Sequence, residues 1–411
     1  MPQYITHTLP NGLRIIHLPS PSPVVYCGYA IGAGTRDEQP GDEGLAHFCE
    51  HVTFKGTRRR SAMQILNCLE SVGGELNAFT NKESTVFYSA VMKEHTSRAA
   101  DLLTDIVFGS VYPQHEIDKE IAVICDEIES YNDAPSELIF DEFENIIFSG
   151  HPLGHNILGN VERLRTYTTA DALRFTRRHY RPDNAVFFVY GDTDTGRLIR
   201  RLRQLTPDRP AAPAGSPPAT VVTADDAAGN VYVRRRGTHQ AHVVTGCRGM
   251  NAYDEHRTVL FLLNNIIGGT GMNARLNISL RERNGLVYTV ESTSVNYRDT
   301  GLWAVYFGCD HGDIRKCLRL VRRELDRMTD RPLGEAQTAR AKKQIKGQIA
   351  IAVDNRESFA LSFAREYLLY GKCKDISRLF RRIDDITPEQ IQDTARRIFD
   401  PEGMTTLIYT D

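Results

Sequence analysis

The chain has 411 residues, of which 41% are hydrophobic and 25% are charged. These proportions are those of an ordinary globular protein, and they exclude a disordered, collagen-like or coiled-coil chain. Fifty basic residues against 52 acidic residues give a formal net charge of −2. This balance offers no overall electrostatic attraction for nucleic acid or an anionic membrane, so we expect neither as a partner.

The hydropathy pattern predicts no membrane-spanning segment. The first twenty residues contain no apolar run of signal-peptide length. Later runs such as 185–190 are far shorter than the roughly 20 residues that a spanning helix needs.

The eight cysteines form no C-x-x-C pair, a distribution typical of reduced thiols and not of a disulfide frame or a thiolate zinc site. We therefore predict a cytoplasmic protein.

A proline-rich stretch near the middle of the chain predicts a linker. From Pro207 to Pro218 the sequence PDRPAAPAGSPP holds five prolines and no large apolar residue. Such a segment forms neither a helix nor a central strand, and it is typical of an extended connection. We therefore predict a domain at 1–206, a linker at 207–219 and a second domain at 220–411.

The two halves show a weak internal repeat. Residues 24–38 and 242–255 both lead from an apolar strand through glycine into an Asp-Glu turn, and a largely apolar helical segment follows each. Strand and helix patterns are mixed without strict alternation, which disfavours a doubly wound parallel sheet. The pattern predicts an α+β fold with two homologous domains, each a mostly antiparallel sheet packed with helices.

The most specific chemical signal is the run His47-Phe48-Cys49-Glu50-His51, an H-x-x-E-H pattern. On a helix, side chains four residues apart are neighbours with Cβ atoms about 5–6 Å apart, so His47 and His51 can bind one ion. Glu50 lies on the same face, within reach of a metal-bound water. The opposite side of the helix is apolar and can pack into a core: Leu45, Phe48, Cys49 and Val52. The pattern therefore predicts a buried metal site.

A two-histidine zinc site needs a third protein ligand and keeps a fourth position for water. Residues 116–129 predict an amphipathic helix on which Glu116, Glu120 and Glu127 lie along one edge of an isoleucine stripe. Glu120 and Glu127 are separated by roughly 10 Å along the helix axis. We therefore expect one of these two as a ligand and the other as a partner of an imidazole N–H, and the spacing does not choose between them.

The run GLAHFCEHVTFKGT resembles the metal-binding segment of the insulinase/pitrilysin family of inverted-motif zinc peptidases, which includes the mitochondrial processing peptidases. Further similar blocks follow in family order along nearly the whole chain. They are GGELNAFT, EIAVICDE, HPLG, YRPDN and, in the second half, GGTGMNARLNISLRERNGLVY. Within the family, the chain resembles a two-domain, bacterial-type member of the processing-peptidase kind.

The resemblance implies one Zn²⁺ per chain, bound by His47, His51 and Glu127. It implies that Glu50 is the general base and that Glu120 is the acid that supports the ligand set. Aligning the halves puts Leu260, Leu263 and Asn264 at the three metal-motif positions of the second domain. We therefore expect that domain to bind no metal.

The resemblance also implies the residues that contact the substrate. The segment Asn77, Ala78, Phe79 and Thr80 matches an edge strand along which a peptide backbone pairs as an added strand. Arg281 and Tyr288 match a catalytic pair that reaches the substrate from the second domain. In that role they donate hydrogen bonds to the substrate or to the developing oxyanion.

Together these matches imply a zinc metalloendopeptidase that hydrolyses short or unfolded peptides inside a chamber of four homologous domains. One chain supplies two domains and carries both the zinc motif and the Arg/Tyr pair, which favours a homodimer. Two alternatives keep the same fold. The chain is then either a non-catalytic core or assembly subunit, or a catalytic subunit that needs a different partner chain.

Overall fold

A computed structural model describes residues 4–208 and 227–411 of the chain. They form two compact units, each assembled from three stretches of sequence. Unit 1 is the described part of Met1–Glu129, His155–Ala219 and Val353–Asp375, and unit 2 is the described part of Ser130–Gly154, Thr220–Ala352 and Ile376–Asp411. Apart from Pro207 and Asp208, the predicted linker lies outside the described residues, so the predicted boundaries stay a prediction.

Unit 1 contains a six-stranded sheet. Its strands are β1 (Ile5–Thr8), β2 (Arg14–Pro19), β3 (Val24–Ile31), β4 (Glu75–Thr80), β5 (Thr85–Met92) and β6 (Ala185–Gly191). Their spatial order is β1-β2-β6-β3-β5-β4. Strands β2 and β6 run parallel, and the other neighbouring pairs are antiparallel.

Unit 2 contains a five-stranded sheet. Its strands are β7 (Val231–Arg235), β8 (Ala241–Arg248), β9 (Val287–Asn296), β10 (Gly301–Cys309) and β11 (Thr405–Thr410). Their spatial order is β7-β11-β8-β10-β9. Strands β7 and β11 run parallel, and the remaining pairs are antiparallel.

The two sheets share one topology. When β1 is left aside, the five other strands of unit 1 follow the order first, fifth, second, fourth, third, and the strands of unit 2 follow the same order. The parallel pair also occupies the same place in both sheets. The predicted α+β fold, with two homologous and mostly antiparallel domains, is confirmed.

Helices pack on both sheets. In the described part of the chain, no helix combines the length and the apolar character that a membrane crossing requires. In chain order they are α1 (Leu45–Thr53), α2 (Ala62–Glu70), α3 (Thr96–Gly109), α4 (Gln114–Asn132), α5 (Pro135–Ile147), α6 (Val161–Leu164), α7 (Thr169–His179), α8 (Thr195–Leu205), α9 (Arg257–Gly268), α10 (Ile314–Asp330), α11 (Glu335–Asp354), α12 (Arg356–Tyr370), α13 (Ile376–Asp384) and α14 (Pro388–Ile398). A π-helical segment spans Asn277–Glu282, and short 3₁₀ turns span Thr35–Asp37, Lys93–His95, Pro182–Asn184, His311–Asp313 and Pro401–Gly403.

One face of each sheet is covered by a helix that lies far away in sequence. In unit 1, the rings of Phe188 and Tyr190 on β6 contact Phe363 of α12, with centroids 6.2 and 6.3 Å apart. In unit 2, Phe143 of α5 packs in the same apolar cluster as Val244 of β8. Helix α5 thus lies in the first half of the sequence but belongs to unit 2, and α12 lies in the second half but belongs to unit 1. The predicted division into two continuous domains does not include this exchange, because an apolar helix face does not specify which sheet it will cover.

Helix α1 lies with its apolar side in the main core of unit 1, as the motif predicts. Leu45, Phe48, Cys49 and Val52 are fully buried there. The other side of the same helix therefore carries His47, Glu50 and His51 at the boundary of the core.

The start of α1 is fixed by a buried carboxylate. Glu38 accepts hydrogen bonds from the backbone N–H groups of Gly44 and Ala46, at 3.0 and 2.7 Å, and it lies 2.9 Å from Nε2 of His155. A carboxylate suits a helix N-terminus because the first N–H groups there have no partner within the helix and carry partial positive charge. Gly44 has φ +89° and lies against the backbone of Gly159, so the chain needs glycine there. These contacts set the position of the motif helix.

Candidate metal centre

Helices α1 and α4 bring His47, His51 and Glu127 together. Nε2 of His47 lies 3.8 Å from Oε1 of Glu127, and Nε2 of His51 lies 3.3 Å from Oε2 of the same carboxylate. One donor atom from each residue lies within 4.8 Å of the other two, and no second group of histidine, cysteine or acidic residues in 4–208 and 227–411 reaches this geometry. The structure therefore places the predicted ligand set in one cluster.

This donor set fits a zinc ion. Two imidazole nitrogens and one carboxylate oxygen are a ligand set of catalytic zinc sites, which keep one position open. Donors bound at about 2.0–2.2 Å in tetrahedral geometry lie roughly 3.3–3.6 Å apart. The Glu127 oxygens lie 3.3 and 3.8 Å from the two histidine nitrogens. Oε2 of Glu50 is also buried without a hydrogen-bond partner among the described residues. Because buried polar atoms are normally paired, this oxygen fits a carboxylate that faces a water molecule beside the metal.

Glu120 contacts the other nitrogen of His51. Its Oε1 lies 3.0 Å from Nδ1 of His51, and its Oε2 lies 2.5 Å from Nζ of Lys55. Glu127 faces Nε2 of both histidines, whereas Glu120 contacts only Nδ1, on the other side of the His51 ring. This arrangement suits Glu127 to a ligand and Glu120 to a carboxylate that orients a ligand. The sequence analysis did not identify Lys55, which lies in the turn just after the end of α1 at Thr53 and therefore outside the helical pattern.

The two histidines differ in protonation before metal binds. Burial and the neighbouring charge of His51 lower the pKa of His47 to about 4. Burial also acts to lower the pKa of His51, but hydrogen bonds with Glu120 and Glu127 outweigh it and raise that pKa to about 9. The hydrogen bond with His51 in turn lowers the pKa of Glu127. At neutral pH, His47 is therefore neutral, His51 is a cation and Glu127 is ionised.

Glu50 is buried beside this cluster, with 8% of its surface exposed. Burial raises its pKa, while a hydrogen bond from Thr80 and the charge of His51 offset part of that rise. A carboxylate with a raised pKa holds a transferred proton more readily, as a general base and acid must.

The contact with Thr80 places β4 beside the motif helix. Strand β4 is the last strand of its sheet. Among the strands of 4–208 and 227–411 it pairs only with β5, from Glu75 opposite Ala90 to Thr80 opposite Thr85. An edge strand carries backbone N–H and C=O groups that another extended chain can pair with. The structure thus places Asn77, Ala78, Phe79 and Thr80 on an edge strand next to Glu50.

Arg281 and Tyr288 lie close together in unit 2. The guanidinium carbon of Arg281, in the π-helical segment, lies 5.7 Å from the ring centroid of Tyr288 on β9. Tyr288 is 82% exposed. Both side chains line a cavity of about 570 Å³ together with residues 268–271 of the glycine-rich loop.

The residues of unit 2 that correspond to the metal motif have other partners. Leu260 and Leu263 on α9 are fully buried in the apolar core. Asn264 donates to the carbonyl of Ser292 and accepts from the indole N–H of Trp303, both at 3.0 Å. The three positions therefore serve packing and hydrogen bonding in this unit.

Known proteins are similar to this chain along nearly its whole length. Residues 14–161 match the family model described as Insulinase (Peptidase family M16), and residues 166–345 match the one described as Peptidase M16 inactive domain. An uncharacterized zinc protease of Streptomyces coelicolor is 34% identical over 95% of this chain and 86% of its own length. Another, from Bacillus subtilis, is 30% identical over 98% of this chain and 97% of its own.

Solved structures share the fold. A protease from Helicobacter pylori superposes with a TM-score of 0.90 at 19% identity, and the match covers 100% of both chains. A Pseudomonas fluorescens structure, described as a peptidase M16 inactive domain, gives 0.88 at 16% identity over 99% of this chain and 98% of that one. At these identities the likeness concerns the fold alone. The matched family models and the relatives at 30% identity or more show that the chain belongs to the insulinase family of peptidases, family M16.

Proposed function

We propose that the protein is a zinc-dependent endopeptidase that hydrolyses short or unfolded peptides. One Zn²⁺ per chain is bound by His47, His51 and Glu127. The observation that carries the proposal is the convergence of these three donors within 4.8 Å, with Glu50 buried beside them. The names of the relatives, zinc proteases of Streptomyces coelicolor and Bacillus subtilis, support it.

The residues around the proposed zinc site have different roles in peptide hydrolysis. Bound Zn²⁺ would supply a Lewis acid that activates water and polarises the scissile carbonyl. Glu50 takes a proton from the attacking water as the C–O bond forms, and it passes that proton to the peptide nitrogen, which leaves as the amine when the C–N bond breaks. Glu120, itself paired with Lys55, orients the ring of His51.

The substrate is an extended peptide in this proposal. Its backbone pairs with the open edge of β4, along Asn77, Ala78, Phe79 and Thr80. Folded proteins present few free extended segments, so short or unfolded chains are preferred. Arg281 and Tyr288 supply further hydrogen-bond donors to the substrate, a role supported by their adjacency and by the exposure of Tyr288.

A homodimer with an enclosed, peptide-selecting chamber belongs to the same proposal. It is supported by the resemblance to four-domain peptidases and by the presence of both functional residue sets in one chain. A cytoplasmic location is also proposed, and the eight free cysteines support it because reduced thiols are typical of that compartment.

Replacing the proposed base tests the function directly. We expect Glu50→Gln to slow cleavage of an unstructured peptide pool by roughly 10²–10⁴-fold, because an amide accepts no proton. Bound zinc should stay at the wild-type level, since Glu50 is not a ligand. Mass spectrometry of the products and metal analysis of the purified chain measure the two effects.

Glu70→Gln, an exposed position on α2, is the matched control and should cleave like wild type. Loss of zinc from Glu50→Gln would contradict the assigned roles. A folded, zinc-loaded wild-type chain that cleaves nothing would contradict the proposal and favour a non-catalytic subunit or one that needs a different partner.

The two glutamates of α4 should differ in their effect on zinc. We expect Glu127→Gln to weaken zinc affinity more than Glu120→Gln, because only the first removes a donor. Loss of a carboxylate that orients a ligand typically costs about 10–100-fold in affinity, which is the effect expected for Glu120→Gln. Competition with a chelator measures both constants, with exposed Glu129→Gln of the same helix as the control. The reverse order would exchange the two roles.

Zinc affinity should rise with pH. In the metal-free protein His51 carries a proton below pH 9, since its pKa is raised to about 9, and zinc must displace that proton. The apparent affinity should therefore increase about tenfold per pH unit between pH 6 and 8. His47 adds no slope in this range because its pKa is near 4. Chelator competition corrected for the chelator's own protonation measures the slope, and a pH-independent affinity would contradict the assignment.

A further inference from the structure

An arginine-lined cavity in unit 1 is not used by the proposed hydrolysis. It has a volume of about 590 Å³ and lies between α2, the first turn of α3, and α8. Three guanidinium groups line it, those of Arg60, Arg98 and Arg201, and the only acidic side chain among its described lining residues is Asp101. The cavity is a shallow depression that is widely open to solvent.

Two of the three lining arginines, Arg60 and Arg201, are held in place by buried carboxylates. Asp101 bonds to Arg59, Arg60 and Arg201, with distances of 2.8 Å to Arg59 and 3.0 Å to Arg201. Asp105 accepts from Arg60 at 2.5 Å. The side chains of Asp101 and Asp105 are only 10% and 4% exposed, whereas that of Arg201 is 41% exposed. The side chain of Arg60 is 18% exposed, so the solvent-facing guanidinium groups bound to these carboxylates are those of Arg59 and Arg201.

The charges of this cluster do not cancel. The cluster contains four guanidinium groups, those of Arg59, Arg60, Arg98 and Arg201, and two carboxylates, those of Asp101 and Asp105, which leaves an excess of two positive charges. The chain as a whole has a net charge of −2, so the excess is a local feature. Arg98 has no carboxylate among its described partners, and its guanidinium donates to the carbonyl of Cys68 at 3.4 Å.

Neutral donors complete the lining. The hydroxyl-bearing residues Ser71 and Ser97 border the cavity, and Ser97 lies in the first turn of α3. Guanidinium groups match the geometry of phosphate oxygens. Planar groups already oriented by buried carboxylates lose little further freedom when they bind an anion.

We propose that this cavity binds a phosphate-bearing small molecule. Its excess of two positive charges matches a phosphate dianion, and its volume leaves room for more than a single phosphate group. The site is distinct from the metal centre in its residues, so its occupancy does not depend on the peptidase proposal.

Calorimetric titration of the zinc-loaded full chain with inorganic pyrophosphate and with orthophosphate tests the proposal. The titrations are made at constant ionic strength in chloride, and zinc is measured before and after each one so that metal extraction is recognised. We expect saturable binding, tighter for pyrophosphate. Arg98→Gln/Arg201→Gln should weaken it at least tenfold, whereas Arg177→Gln/Arg178→Gln, at two exposed arginines of α7, should change it less than twofold.

If the double variant does not fold, the single variant Arg98→Gln replaces it in the titration. Arg98 is suitable because its described hydrogen bond is to one backbone carbonyl, that of Cys68, so its loss should disturb the fold little. The single variant should weaken binding measurably while zinc content stays at the wild-type level. No binding to the wild-type chain, or equal binding by the cavity variants and the α7 control, would overturn the proposal.

Discussion

Both ring nitrogens of His51 face a carboxylate of α4, and the rest of the site depends on that arrangement. Glu120 lies 3.0 Å from Nδ1 and Glu127 lies 3.3 Å from Nε2, so one helix approaches the imidazole from two sides. The contacts set α1 against α4, which brings His47 and Glu127 within reach of one ion. They also keep His51 protonated until a metal displaces the proton. The apolar side of α1, packed in the core, prevents the helix from turning away.

Duplication of one topology explains how a metal-binding unit and a unit without the motif coexist in one chain. Both sheets follow the same strand order with the parallel pair in the same place. In unit 1 the helix after the second repeat strand carries imidazoles and a carboxylate at the core boundary. In unit 2 the corresponding helix α9 uses leucines and an asparagine that packs and hydrogen-bonds within its own unit. The fold thus supports both uses, and the side chains on one helix face decide between them.

Much of the fold and of the metal site could be predicted from the sequence. Helical periodicity, for example, places His47, Glu50 and His51 on one face of a helix. Spacing along α4 could not separate Glu120 from Glu127, since the choice depends on how α4 is rotated against α1. The partners that fix the site were also missed: Lys55 binds Glu120, and Glu38 holds the start of α1 from six residues away. The sequence also did not predict that α5 belongs to unit 2 and α12 to unit 1, because an apolar helix face fits either sheet.

The central claim is that His47, His51 and Glu127 bind one zinc ion. Crystals of the zinc-loaded chain, with anomalous diffraction recorded above and below the zinc absorption edge, test it most directly. The account predicts one edge-dependent peak per chain, about 2.0–2.2 Å from Nε2 of His47, Nε2 of His51 and the carboxylate of Glu127, and none at α9. A peak bound by Glu120 in place of Glu127, or no peak at the two histidines, would contradict it.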